Sequence, residues 1–503
     1  MTVGKTGGRA DPELVFGVLG ILLLAVFPLS AHEYSSITRF KYLQMLFLTG
    51  ICVMTAAVFL RSWEKQFCWK SLPRLLCVLY AAWVGLSAFF GSYAGLVDAE
   101  GARVVLTGAV RYEGLITQVC YFLLFLVFSL SRPHRGLVLG TCAAAMAVYA
   151  AVVLCQYAGW NVLDLFPKGR STYTNYEFQG TIGNIDMVSG YLTLMIPLVL
   201  IPWILGQGNP LLLISALLGV MLETLMGVQS GLLAVAVLSA VLLSAALVRE
   251  DVRLRAGIAL AGTACCFALR SVIGLPWLDG TQSVTFLWNP RALLWLAAAG
   301  AAGAAGGFFR KKKTGVLRPR TVTLVWGMLL AAVILLVWLC PLGGEGSMLW
   351  EVREILRGRS SDSFGSWRWG VWRHTLAVSR ESLLFGTGPD MFFYAMQDYL
   401  QETGNVLGEH FDNPHNLYLA ILAGSGLPAL LLYLALVFSV IRHCFRSRDV
   451  FVRAAGMSVF LYSVQGFFSF SICLVSPMAW TIFGMACAGE EEKPGGLIHD
   501  HCS

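Results

Sequence analysis

The hydrophobic pattern of the chain is a succession of apolar runs, separated by short polar segments. The runs recur along almost the whole 503-residue sequence, and each has roughly the 20 apolar residues that a membrane-spanning helix needs. Fourteen spanning helices are predicted, and a count of twelve or thirteen also fits the pattern. The predicted spans are 14–31, 42–60, 74–91, 114–131, 136–158, 183–204, 210–227, 230–248, 256–274, 290–309, 321–341, 416–441, 454–472 and 474–489.

One long polar segment, residues 342–415, interrupts this pattern near the end of the chain. It holds six arginines, ten carboxylates and three histidines. Helical spacing predicts one helix through 366–384, with apolar groups on one side and cations on the other, as in a helix on a membrane surface. A second short helix is predicted over 391–400. We therefore predict an all-α integral membrane protein in which 1–341 is a helical bundle, 342–415 a large loop, and 416–503 the last membrane helices with a tail, together forming one domain.

Composition and charge agree with an integral membrane protein, and the charge distribution also predicts its orientation in the membrane. Only 13% of the residues are charged, whereas a soluble protein carries about 25%. Of the 36 lysines and arginines, 22 fall in the alternate short segments that the positive-inside rule assigns to the cytoplasm. Both termini are therefore expected inside and the 342–415 loop outside. The same bias explains the net charge of +7 without a nucleic-acid partner.

The N-terminal sequence predicts no cleavable signal peptide, and the cysteine positions predict no disulfide cross-links. The first eleven residues are polar and the first apolar run is long, which argues against a cleavable signal peptide. The 342–415 loop contains none of the 13 cysteines, so neither a disulfide framework nor a zinc pattern is predicted there.

The arginines of the loop point to a phosphate ligand. A guanidinium donates paired hydrogen bonds to phosphate and stays charged at any relevant pH. Arg368 and Arg373 lie in the predicted surface helix, and Trp372 follows Arg368 at a spacing that allows stacking. A solvated cationic face against lipid headgroups is the alternative.

His415 is the candidate for proton transfer. Histidine suits that role near neutral pH, and His415 follows Pro414 in a turn where the chain re-enters the membrane. Asp412 would either hold the imidazole or close an Asx turn, and a purely structural histidine is the alternative. The segment 180–190 also holds candidate site residues. Asn184 and Asp186 lie at the predicted start of a helix, where they would either bind a ligand or cap the helix.

These residues carry a resemblance to a known family. Several short motifs stand in the order and spacing found in the O-antigen ligase and polymerase superfamily. They are Arg111-Tyr112-Glu113-Gly114-Leu115, the segment 180–191 with Gly183-Asn184, Arg368-x-x-x-Trp372, Leu384-Phe385-Gly386-Thr387-Gly388-x-x-x-Phe392, Asn413-Pro414-His415-Asn416-Leu417-Tyr418-Leu419 and Gly424-x-Gly426-Leu427-Pro428.

The resemblance implies a GT-C-like membrane glycosyltransferase of the bacterial cytoplasmic membrane. Such an enzyme moves a glycan from an undecaprenyl-diphosphate carrier to an acceptor hydroxyl on a lipid, glycan or wall polymer, at the outer face, without a metal or other cofactor. On that reading Arg368 engages the donor diphosphate and His415 positions or deprotonates the acceptor hydroxyl. The residues expected to bind substrate are Arg111, Arg170, Arg373, Asn184, Asp186, Trp372, Asn413 and Asn416.

One departure from the family pattern lies in 227–233. Many members carry Ser-Arg-Gly there, and that arginine also engages the diphosphate, whereas this chain has Ser230 in its place. Arg111 or Arg170 would then supply the missing charge. A polymerase of the same superfamily, a transporter or flippase of lipid-linked sugars, and a catalytically silent assembly partner are the alternatives to a ligase.

Overall fold

The computed structural model is built from α-helices. It describes residues 11–59, 71–157, 160–165, 180–272, 294, 296–300, 317–340, 344–405 and 411–488, and no strand occurs within these ranges. Nine helices of this part of the chain are long and apolar enough to cross a membrane. The predicted all-helical membrane fold is therefore confirmed.

Every predicted span that the structure describes contains a helix, but the span 454–472 is helical only as far as Gln465. The span 290–309 lies mostly outside the described residues. The bundle helices are α1 (Pro12–Leu29), α2 (Ile37–Phe59), α3 (Leu72–Phe90), the one-turn α4 (Val104–Thr107), α5 (Leu115–Leu130), α6 (Arg135–Tyr157), α7 (Ile185–Ile204), α8 (Pro210–Met226), α9 (Gln229–Val248), α10 (Glu250–Val272), α11 (Pro319–Leu339), α15 (Leu417–Arg446), α16 (Val450–Gln465) and α17 (Ser476–Ala486).

Helix α7 forms the centre of the bundle. It is apolar on all sides, a pattern typical of a helix surrounded by protein, and its membrane-length segment is entirely buried. It packs against α6, α8, α9 and α16. Helices that precede the polar loop thus pack against helices that follow it, as α3 does with α15 and α5 with α17.

The polar loop contains three helices, α12 (Met348–Leu356), α13 (Arg368–Glu381) and α14 (Phe392–Thr403). The predicted helix over 366–384 is shorter than expected, because the chain turns after Glu381 and leaves Leu383 and Leu384 exposed. Helix α13 buries Val371 and Val378 against α14 and α15. Its apolar side therefore docks the loop on the bundle.

A glycine-rich backbone contact fixes the loop in place. Helix α15 is interrupted at Gly426, whose φ is +82°, and the segment 386–388 lies along the interruption. Thr387 N donates to Ala423 O (2.8 Å) and Gly388 N to Gly424 O (2.9 Å). A Cβ on Gly386 would lie 2.6 Å from Ala423 O, and one on Gly426 would lie 2.3 Å from Leu384 O. Only glycine allows the two backbones to come so close.

The same segment is held from its other side by the end of α3. Ser92 N donates to Gly386 O (3.1 Å) and Tyr93 N to Thr387 O (3.0 Å). We call the end of the bundle where these contacts lie the loop end. The segments before α5 and α15 lie at this end, since Asp390 accepts backbone N–H groups of Arg111 and Glu113 and Trp372 donates to Pro414 O.

Candidate active site

His415 projects from a tightly constrained turn at the loop end. Asn413 Oδ1 accepts the His415 N–H (2.9 Å) and so closes an Asx turn. Asn416 caps α15 by accepting N–H groups of Tyr418 (3.0 Å) and Leu419 (3.1 Å). His415 itself has a φ of +50°, an uncommon conformation for a residue with a side chain. The turn therefore fixes the direction of the imidazole.

Arg111 comes to the same turn from the segment before α5. Its guanidinium donates two hydrogen bonds to Asp412, from Nε to Oδ2 and from Nη2 to Oδ1, each 2.7 Å long. The sequence left open whether Asp412 holds the imidazole or closes an Asx turn. In the structure Asp412 binds Arg111, and Asn413 closes the turn.

Phe470 brings Arg111 and His415 together. The guanidinium carbon lies 4.1 Å from the centroid of the Phe470 ring, within the range of a cation–π contact. The imidazole meets the same ring edge-on, with 5.1 Å between centroids. One aromatic face thus orients both a permanent cation and a titratable ring.

Asp390 holds the segment that carries Arg111. Its Oδ2 accepts the backbone N–H of Arg111 (3.3 Å) and of Glu113 (3.2 Å). A Cβ on Gly108 would lie only 2.3 Å from that oxygen, so the segment closes around the carboxyl where glycine leaves room. Burial raises the pKa of Asp390 to about 6.

Charge and burial keep the imidazole of His415 neutral. Burial lowers its pKa to about 4, and the nearby charges of Arg111 and Arg368 act in the same direction, opposed by Asp412. A neutral imidazole has a nitrogen lone pair that accepts a proton. Arg368 also lies near enough for its charge to act on this ring.

Arg368 is the available cation of the site. It is half-buried at the first residue of α13, and its side chain makes no hydrogen bond or ion pair to any residue in the described part of the chain. Trp372, one turn later, donates from Nε1 to Pro414 O (2.9 Å). This bond ties the start of α13 to the turn of His415.

The other predicted site residues have varied surroundings. Arg373 pairs with Asp362 (2.6 Å) and is 62% exposed. Asn184 caps α7 by accepting the N–H groups of Asp186 (2.9 Å) and Met187 (3.3 Å), and the Asp186 carbonyl accepts from Gln465 Nε2 (3.4 Å). Arg170 lies outside the described residues.

Ser230, the position of the departure from the family pattern, is buried at the start of α9. The next residue, Gly231, lies against α7 and α8, and a Cβ there would be 2.1 Å from Glu223 Oε2 and from Ser189 Oγ. Ser230 thus adjoins a carboxyl and a hydroxyl in the bundle interior.

Sequence reasoning missed Asp390 and Phe470. Asp390 occupies an unspecified position of the Gly388-x-x-x-Phe392 motif, and its place within that motif was the available signal. Phe470 lies between two apolar helices, where nothing in its sequence distinguishes it from a packing residue. No three His, Cys, Asp or Glu side chains are placed to hold a metal ion in the residues that the structure describes.

Comparison with known families agrees with the motifs. Residues 281–434 match the family model for O-antigen ligase. The resemblance to the O-antigen ligase and polymerase superfamily is therefore confirmed, over a region that contains Arg368, His415 and the docked loop. No curated protein gives a significant match to the chain.

Proposed function

We propose that the protein is a membrane glycosyltransferase of surface polysaccharide assembly. It transfers a glycan from an undecaprenyl-diphosphate carrier to an acceptor hydroxyl, at the outer face of the bacterial cytoplasmic membrane, with both termini cytoplasmic. The observation that carries the proposal is that the hydrogen bond from Trp372 to Pro414 O (2.9 Å) joins the turn of His415 to the start of α13, where the guanidinium of Arg368 is available. The O-antigen ligase match over the same region supports it.

The residues suggest a direct displacement. His415 accepts the proton of the acceptor hydroxyl while that oxygen forms a bond to the anomeric carbon of the donor sugar. The bond between this carbon and the diphosphate oxygen breaks, and its electron pair leaves with the diphosphate. Arg368 offsets the charge that develops there, which is where an enzyme gains most when the leaving group is already good.

Donor binding would also strengthen the base. In the free protein burial lowers the pKa of His415 most, and two cations add to that effect. A diphosphate beside Arg368 would offset part of the positive charge and so raise the pKa of the imidazole above its value in the free protein. The proton acceptor therefore becomes effective when the donor is in place.

Replacing either residue tests the proposal. His415→Ala and Arg368→Ala should each lower glycan transfer by at least about a hundredfold, as expected for losing a general base or a charge-stabilising group. Arg380→Ala is the matched control, because Arg380 is an exposed cation of the same helix. Transfer and membrane insertion are measured together in membranes with lipid-linked donor.

Unchanged transfer in both inserted variants would exclude the catalytic assignment and favour a transporter or an assembly partner. What accumulates without the protein separates the two enzyme classes. Long carrier-bound chains indicate a ligase, and single carrier-bound repeat units indicate a polymerase.

A further inference from the structure

A small cavity lies between the turn that carries His415 and the helices beneath it. Its volume is about 90 Å³, room for roughly six waters. Asp412, Asn413 and Pro414 form one wall, and the opposite walls come from α3, α5, α15, α16 and α17. The polar and aromatic side chains considered below line this cavity: Tyr80, Glu113, Gln118, Tyr433, Tyr462, Ser471 and Trp480.

The walls combine flat aromatic rings with hydrogen-bonding groups. The rings of Tyr80 and Trp480 are nearly parallel, 6.0 Å between centroids, and Tyr433 adjoins both, at 5.7 Å and 6.4 Å. Glu113 is 7% exposed. Its carboxyl accepts from Tyr121 (2.6 Å), Ser471 (3.1 Å) and Gln118 (3.3 Å).

Two hydroxyls of the cavity have no partner of their own. Tyr80 is 7% exposed and Tyr433 4%, yet neither hydroxyl hydrogen-bonds to any residue in the ranges that the structure describes. A buried hydroxyl without a partner is unfavourable. The carboxyl of Glu113, in contrast, already accepts from several donors, among them the backbone N–H of Cys473. The cavity thus presents unused polar groups beside aromatic faces.

A sugar ring has the complementary chemistry. Its C–H faces are apolar and pack on aromatic rings, while its hydroxyls both donate and accept hydrogen bonds. We propose that this cavity binds one sugar residue of the donor or acceptor glycan, with the Tyr80 and Tyr433 hydroxyls hydrogen-bonded to that sugar. The inference rests on the proposed function for the identity of its ligand, and it assigns these residues to binding.

Direct binding of sugars provides the test. Saturation-transfer NMR on the full-length protein in nanodiscs, with glucose, galactose, N-acetylglucosamine and rhamnose as separate probes, should detect at least one of them. Ala420→Leu, which fills the cavity from a half-buried lining position, should abolish that signal, and Tyr433→Phe should weaken it. Tyr149→Phe is the control, since Tyr149 is a buried tyrosine of α6 that does not line the cavity.

If the cavity holds only water, no sugar would give a saturation-transfer NMR signal, or the signal would be equal in wild type and Ala420→Leu. Either result overturns the inference. His415→Ala should keep sugar binding while losing glycan transfer. Sugar binding in a wild-type protein that shows no glycan transfer would contradict the proposed function alone. Glycan transfer without sugar binding would contradict this inference alone.

Kinetics identifies which glycan supplies the sugar. Tyr433→Phe should raise the KM of one substrate about fivefold, the effect of one neutral hydrogen bond, and leave kcat nearly unchanged. A rise for the lipid-linked substrate assigns the cavity to the donor, and a rise for the other substrate assigns it to the acceptor. An equal fall in kcat and kcat/KM without a change in KM would contradict a binding role.

Discussion

The pKa of His415 is lower than that of an ordinary histidine because the imidazole is largely buried and because two guanidinium groups act on it against one carboxylate. The turn could be read from Asn413-Pro414-His415 in the sequence. The partners could not, because Arg111 and Asp412 are 301 residues apart and Phe470 resembles any packing residue. Pairings of that kind depend on tertiary structure, which no local pattern contains.

The pH dependence of the reaction tests the coupling between donor and base. The pKa of His415 is about 4 in the free protein, so kcat/KM, which reports the free enzyme, should stay level down to about pH 5. A bound diphosphate offsets part of the positive charge and raises the pKa, so kcat should begin to fall at a higher pH than kcat/KM does. Both profiles are measured by initial rates in the Asp390→Asn background, since Asp390 itself titrates near pH 6.

Coincident acid limbs for kcat and kcat/KM would contradict this coupling. Arg111, Arg368 and Asp412 are the charged groups that act on the imidazole. Asp412→Asn, which removes the one carboxylate among these groups, serves as the check that the acid limb belongs to His415.

Asp390 should affect glycan transfer by positioning the segment that carries Arg111. Asp390→Asn leaves a neutral amide where a carboxyl receives two N–H groups, and we expect kcat/KM to fall about tenfold, the value of a charge-assisted hydrogen bond. The matched control is Asp398→Asn, which replaces a loop carboxylate that accepts from the Tyr93 hydroxyl (2.7 Å). Equal losses in the two variants would indicate general damage to the loop. The measurement is initial-rate transfer at fixed protein level.

Among the elements, the length of the apolar runs predicted the membrane helices well. It did not predict the interruption of α15, which depends on a backbone contact with another part of the chain. The span 416–441 was read as continuous, whereas Gly426 interrupts α15. The motif residues 424–428 marked the place, but a local glycine does not say what approaches it. The approaching element is the segment 386–388, from a different part of the chain.

Gly386→Ala tests this backbone contact. The residue has a φ of +68° and its new Cβ would meet the backbone of α15 at 2.6 Å. We expect a loss of roughly 2–4 kcal/mol in stability, seen as a lower inactivation temperature in detergent by fluorescence-detected size exclusion. Gly85→Ala, in the open surface of α3, should change stability by no more than about 1 kcal/mol. Similar behaviour of the two variants would exclude a tight contact at Gly386.

For the whole molecule, the distribution of basic residues predicts the orientation. Ser361 in the loop and Gln207 between α7 and α8 are both exposed, and the positive-inside rule puts them on opposite sides. A membrane-impermeant maleimide should label Ser361→Cys in intact cells. It should label Gln207→Cys only after the inner face is opened. Native cysteines measured alone give the background, and labelling of Gln207→Cys in intact cells would reverse the orientation.

The Arg111–Asp412 pair has a consequence for how the protein is made. At a synthesis rate of about 5–20 residues per second, the 301 residues between them take roughly 15–60 s to emerge from the ribosome. Throughout that interval Arg111 is already in the membrane without its carboxylate, and Phe470 arrives later still. The proposed site therefore forms among the last steps of biogenesis, so we expect a chain truncated before Asp412 to show no glycan transfer.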